Sequence, residues 1–274
     1  MNLQQLKKVQ QAIESFFYKI RFNIGLYNLL HNKNFYDFQN KINDALKKQV
    51  LYFAKVEKIN EIIGFNKAVK ELTEKDLLTK IKKLWIPLTA FIGIPILNSY
   101  LKWAAERGGQ IGLDKLKINK EFKLINEKIL ELIEKRTKES IKLIDGTTQD
   151  WIARTIEQGL RDNLSHIEIA KLLRNNAIQS AKERSTLIAE QEAALMIGEL
   201  ETEVYKKNGI EFYKWITSRD ELVCLDCMAN EEAGEVKVGE VFPGGVLTTP
   251  QHQRCRCMIM PVLSKTIEIT WTGQ

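Results

Sequence analysis

The chain has 274 residues, of which 44% are hydrophobic and 28% charged, and 41 Lys and Arg stand against 35 Asp and Glu for a net charge of +6. That length is enough to bury a sizeable core, and that composition excludes disorder of the whole chain. The mild basic excess permits an acidic partner such as nucleic acid without requiring one.

The opening run Met1-Asn2-Leu3-Gln4-Gln5-Leu6-Lys7-Lys8 breaks any apolar stretch with charge and amide, so no secretory signal is expected. A reducing cytosol follows, and there clustered cysteines favour metal over disulfides. Residues 1 to about 72 are expected to be helical. Leu6, Val9, Ile13, Phe16 and Phe17 recur at helical spacing, and Tyr36, Phe38 and Ile42 resume it after Asn32-Lys33-Asn34. Gly64 and Asn66 interrupt the pattern again. Leu84 to Leu97 is nearly all apolar, but it contains Pro87, Gly93 and Pro95. It is shorter than the ~20 residues that cross a bilayer, so it predicts a buried or partner-facing kinked helix.

Arg107-Gly108-Gly109-Gln110-Ile111-Gly112 predicts a hinge or loop. No Lys-Ser or Lys-Thr pair follows it, which argues against a phosphate loop. Ile118, Phe122, Ile125, Ile129, Leu132 and Ile133 form a second helical stripe, punctuated at Gly146 and Thr147-Thr148. Trp151, Ile152, Thr155, Ile156 and Leu160 open the next helix. Ser165 and Glu168 form a capping box, with Leu164 and Ile169 at staple positions and His166 exposed in the first turn. The longest helix is expected from about Ile178 to Lys207, stopped at Gly209. Aromatic and β-branched residues then predict strands at 210–217, 236–242, 255–262 and 267–271, with a turn at Pro243-Gly244-Gly245. The fold class is α+β, a mainly helical body with a small C-terminal β-rich, zinc-stapled cap. Three regions are expected: 1–112, 113–209 and 210–274.

All four cysteines and one of the three histidines fall within this last region: Cys224, Cys227, His252, Cys255 and Cys257. They read Cys-x-x-Cys, 24 residues, then His-x-x-Cys-x-Cys. Ligand pairs two residues apart on a tight turn present thiolates to tetrahedral zinc, and two such pairs staple a region too small for its own core. Cys255 and Cys257 share one face of a strand. Five donors compete for four positions. Repeated paired-turn geometry favours Cys224, Cys227, His252 and Cys255, with the four cysteines as the second set. A closed site of this kind is structural. A catalytic zinc would need a base such as Asp220, Glu221 or Asp226. Arg254 and Arg256 flank the cysteines, either to meet phosphates or to pair with Asp226 or Glu231.

Trp215-Ile216-Thr217, Asp220, Cys224, Cys227, Gly239, Val241-Phe242, Pro250, His252, Cys255-Arg256-Cys257 and Pro261-Val262 occur in an order that resembles the phage head morphogenesis family, minor capsid proteins similar to phage Mu protein F. Ile188-Ala189-Glu190-Gln191-Glu192 stands where the family has an Ile-Ala-Arg-Thr-Glu-like run, and Gln253 stands where it has Pro after the His. The resemblance covers roughly residues 150 to 262. It implies a non-enzymatic minor capsid protein, made in the bacterial cytoplasm and carried in the capsid interior. Such a protein associates with the portal and other head proteins during assembly and DNA packaging or release. Phage DNA is a further candidate partner; a membrane and a small-molecule substrate are not expected. The alternative is a zinc-containing DNA-binding protein or nuclease.

Overall fold

The computed structural model describes residues 32–64, 72–124 and 126–263. The helical stripe of residues 1–31, Asn66, Ile125 and the strand expected at 267–271 lie outside them. Seven α-helices are described: α1 Lys33–Phe53, α2 Val56–Ile63, α3 Glu74–Lys83, α4 Ile94–Lys115, α5 Glu127–Arg161, α6 His166–Lys207 and α7 Leu225–Glu232. Strands β1 Phe212–Ile216, β2 Glu235–Lys237 and β3 Met258–Pro261 form one antiparallel sheet in the order β2-β1-β3. The α+β class and the mainly helical body hold.

The described residues fold into two compact units, each assembled from separated segments: those within 1–36, 100–130 and 190–274 in the first, and those within 37–99 and 131–189 in the second. The expected regions are contiguous; these units interleave. The second unit is all helical. Val50 and Phe53 of α1, Ile59, Ile62 and Ile63 of α2, Leu77 and Ile81 of α3, Ile152 and Ile156 of α5, and Ile169 and Leu173 of α6 form its core. Three local signals act here. Thr73 and Asp76 make a capping box that starts α3. Ser165 and Glu168 make the expected one before α6, with the Ser165 N–H donating to the Glu168 carboxylate and the Glu168 N–H to the Ser165 Oγ. Leu164 packs on the cluster that contains Ile169, as the staple requires.

Several expectations in this unit are corrected. Leu84 to Leu97 is not one kinked helix. The helix α3 ends at Lys83, a single 3-10 turn spans Leu88–Ala90, and α4 begins at Ile94. Pro87 cannot continue a helix, whereas Pro95 suits a first turn. The carboxylate of Asp145, buried on α5, accepts the Leu88 N–H at 2.9 Å and the Gln49 side-chain N–H at 2.8 Å, which fixes the break. No helix among the described residues is long and apolar enough to cross a membrane; the helical segments on either side of this break, which by length and composition together could, meet at 62°. Gly146 and the two threonines do not interrupt α5. Both hydroxyls bond back to the Ile144 carbonyl, which satisfies them within the helix. The helices expected at 165 and 178 are one, α6. His166 is half-buried, with Nδ1 2.5 Å from Asn60 Oδ1.

In the first unit the glycine hinge is also overturned: 107–112 is helical, within α4. The glycines answer a tertiary demand. A Cβ on Gly108 would sit 2.4 Å from the Ile197 carbonyl oxygen, one on Gly109 would meet the Phe122 ring, and one on Gly112 would meet Val204. They let α4 approach α6 closely, at a helix-propensity cost of about 1 kcal/mol each. Ile118 and Phe122 are not helical, because α5 starts only at Glu127; they pack on the core of this unit from the connecting segment. That core is Leu113, Leu116, Val204, Tyr205, Tyr213, Trp215, Cys227, Phe242 and Ile259.

Two predictions follow from the packing. Gly108→Ala should lower the melting temperature despite its better helix propensity, because backbone cannot yield, while Gly146→Ala, with nothing within 4 Å, should stabilise by up to about 1 kcal/mol. Thermal denaturation of both variants checks the pair. Lys115, buried on α4, bonds the buried Glu201 and donates at 2.7 Å to the Ile259 carbonyl. Lys115→Met should therefore cost about 3–5 kcal/mol by leaving a carboxylate buried alone, and Glu201→Leu added to it should recover much of the loss. Urea denaturation of the single and double variants reads this.

Candidate metal centre

Two different backbone devices present the five donors. The first is the helix α7, not the tight turn expected for Cys-x-x-Cys; its eight residues are too few to show a clear period. Cys224 is its N-cap, in extended conformation, and its Sγ accepts the Cys227 N–H at 3.4 Å. A sulfur therefore takes the place usually held by a Ser or Asp oxygen. The spacing i, i+3 sets both sulfurs on one face of the first turn.

The second device is the segment entering β3. Met258–Pro261 pairs with β1, Ile259 opposite Trp215 and Met258 opposite Ile216. The strands expected at 236–242 and 255–262 are shorter than predicted, three and four residues long, so Cys255 and Cys257 lie just before β3. The loop between α7 and these cysteines is anchored by Asn230, which is fully buried. Its side chain donates to Gln251 Oε1 at 3.0 Å and accepts the Gly244 N–H at 2.6 Å; Gln251 donates back to the Gly244 carbonyl at 2.8 Å. The expected turn forms, with Gly245 at φ +82° and its N–H on the Phe242 carbonyl. Asn230 and Gln251 gave no sequence signal, since neither belongs to a ligand pattern. On its other side the loop lies against α6. A Cβ on Gly198 would stand 2.0 Å from the Thr249 carbonyl oxygen, so only glycine admits that approach.

The result brings all five expected donors together. Cys224, Cys227 and His252 have ligand atoms within 4.8 Å of one another, and so do Cys227, Cys255 and Cys257. Cys227 Sγ stands 3.6 Å from His252 Nε2 and 3.7 Å from Cys255 Sγ. A tetrahedral ion with bonds of ~2.3 Å to sulfur and ~2.0–2.1 Å to nitrogen requires S–S edges of about 3.8 Å and S–N edges of about 3.6 Å. The spacings match. His252 Nδ1 lies 2.8 Å from the Gln253 carbonyl. A carbonyl only accepts, so Nδ1 carries the proton and Nε2 keeps its lone pair toward Cys227.

The sulfurs also shift one another's protonation. A hydrogen bond from the Cys257 thiol, with backbone N–H groups, holds Cys255 down to about 5. Burial and the Cys255 charge push Cys227 up. Cys257 is pushed up by its bond to Cys255 and by burial, while the Trp215 indole opposes the rise. The Trp215 Nε1 is buried with no hydrogen-bond partner at normal distance, yet it is close enough to act on Cys257. A thiolate there is the acceptor that this orphan donor lacks. The donor set thus could hold a metal ion and is compatible with zinc.

The flanking arginines take carboxylates other than the two expected of them. Arg256 forks onto both oxygens of Asp220, and Asp220 is lowered chiefly by that bond. Arg254 lies 3.9 Å from Glu190, whose carboxyl burial raises. Neither pairs with Asp226 or Glu231; Glu231 instead takes Arg219 at 3.0 Å and the Thr217 hydroxyl.

Comparison with family models, with curated proteins and with solved structures finds no match to this chain.

Cys227 belongs to both groups of donors. Full-length chain purified without chelator should carry close to one divalent ion, and Cys227→Ser should reduce that content to background; elemental analysis measures both.

Proposed function

We propose that the chain is a minor capsid protein of a phage or prophage head, with a zinc ion stapling its C-terminal cap and the helices binding the portal and inner head proteins. The observation that carries this reading is the convergence of Trp215, Cys224, Cys227, His252, Cys255 and Cys257, residues whose order resembles the Mu F-like family, in one small cap. Zinc suits the site because thiolates and imidazole are its preferred donors and because a sheet of five, three and four residues has little core of its own.

A role in protein assembly is also supported by the cap surface. Leu222 and Leu225 are 73% and 78% exposed, and Met228 is exposed on the same helical face as Leu225. A direct DNA contact through the cap has less behind it. Residues 210–263 hold five Lys and Arg against eight Asp and Glu, and Arg254 and Arg256 already face carboxylates. Of the three carboxylates that could serve a zinc enzyme as base, Asp220 is engaged by Arg256.

The test is particle composition. Portal and terminase genes should lie beside the gene for this chain, and DNA-filled particles from a host carrying them should contain the chain at a few copies per head by quantitative mass spectrometry. Its absence from such particles would overturn the proposal. In binding assays on duplex DNA, we expect no affinity that depends on Arg254 and Arg256; a steep loss of binding with salt, abolished by Arg254→Ala with Arg256→Ala, would favour the DNA-binding alternative.

A further inference from the structure

Five donors for four positions leave one in excess, and the way they are held ranks them. Cys227 is 1% exposed among Trp215, Phe242 and Ile259. Cys255 and Cys257 run directly into β3, whose register on β1 is fixed by four residue pairs. These three sulfurs therefore sit on backbone that core packing and strand pairing hold in place.

The other two donors are held more loosely. His252 is exposed, on a loop, and its ring is steadied by the adjacent Gln253 carbonyl. Cys224 is half-buried at a helix cap, where its sulfur has an alternative partner in the Cys227 N–H. Each lies within 4.8 Å of the other and of Cys227.

We propose that Cys227, Cys255 and Cys257 form the fixed three-thiolate face of the metal site and that Cys224 and His252 alternate in its fourth position. The proposal rests on the metal-binding reading above and departs from the set favoured by sequence spacing, which omits Cys257. In the exchange the metal–sulfur bond to Cys224 breaks as the His252 Nε2 lone pair forms its own bond. The released Cys224 thiolate would take a proton from water, leaving hydroxide to the solvent, and no electron would be transferred. The fourth position is also the one that a donor from outside could enter without release of the ion.

The test uses the full chain loaded with zinc, and with cobalt(II) as a spectroscopic probe. Cys224→Ser and His252→Asn should each keep close to one ion per chain. Each should weaken binding by no more than about ten- to a hundredfold, the range for removing a supporting outer-shell partner. The double variant, and Cys257→Ser alone, should lose the ion. The cobalt thiolate charge-transfer absorption should correspond to three thiolates in Cys224→Ser and four in His252→Asn. If either single variant loses the ion as completely as the double, or if Cys257→Ser retains it, the alternating position is refuted while metal binding stands. A wild-type chain that takes up neither zinc nor cobalt overturns both.

Discussion

The side chain of Lys115 ends beside Glu201 and the Ile259 carbonyl, and the geometry of the cap depends on that junction. Glu201 also accepts the Tyr205 hydroxyl at 2.5 Å, so one carboxylate on α6 gathers a cation from α4 and a phenol from its own next turn. Buried pairs of this kind add little net stability, because desolvation offsets their attraction. Their effect is specificity. Any shift of β3 along α4 or α6 would strand a charge in the interior, so one placement is selected. Ile259 lies two residues beyond Cys257, and the same junction therefore fixes where the second pair of thiols emerges. It also occupies a carbonyl of an outer strand, which limits what else can pair there.

On that frame three aromatic rings pack together. Phe242 meets Tyr213 and Trp215 edge-on, with ring centroids 4.9 and 5.1 Å apart, and Tyr213 donates its hydroxyl to the Leu247 and Glu240 carbonyls. The loop from 239 to 250 is thus tied to β1 at one end, and through Asn230 and Gln251 to α7 at the other. What this leaves unsatisfied is informative. The Trp215 indole N–H and three closely spaced sulfurs carry an excess of donors and of incipient negative charge, and a divalent cation answers both demands at once.

The parts of this arrangement that are legible in the sequence are the local ones. A Cys-x-x-Cys spacing, a Ser165–Glu168 capping box and an aromatic, β-branched run at 212–216 each act over a few residues, so pattern alone finds them. The misread segments are those where a distant partner decides. Three glycines in five positions mean a loop by propensity. Here they mean a helix, because Ile197, Phe122 and Val204 stand where their side chains would be. Lys115 and Glu201 are separated by 86 positions and each reads as an ordinary helix-surface charge. The apolar run at 84–97 is interrupted because Asp145, far along the chain, offers its carboxylate to the Leu88 N–H. The interleaved units follow from the same cause: the segments of each core are widely separated in sequence, and periodicity carries no information about which stripes meet.

The charge distribution points the same way as the packing. The basic excess of the whole chain invites a nucleic-acid reading, and two arginines beside the cysteines sharpen it. Yet the cap itself is acidic, and the two arginines are engaged by Asp220 and Glu190. The Asp220–Arg256 fork joins the turn before Cys224 to the residue between Cys255 and Cys257, so it closes the ring around the sulfurs. Freeing Arg256 for a phosphate would open that ring. Also exposed on this side are the Leu222 and Leu225 side chains leading into α7, beside the exposed Glu221 and Asp226. Exposed leucines of this kind gain free energy when another apolar surface covers them, which a phosphate backbone does not supply.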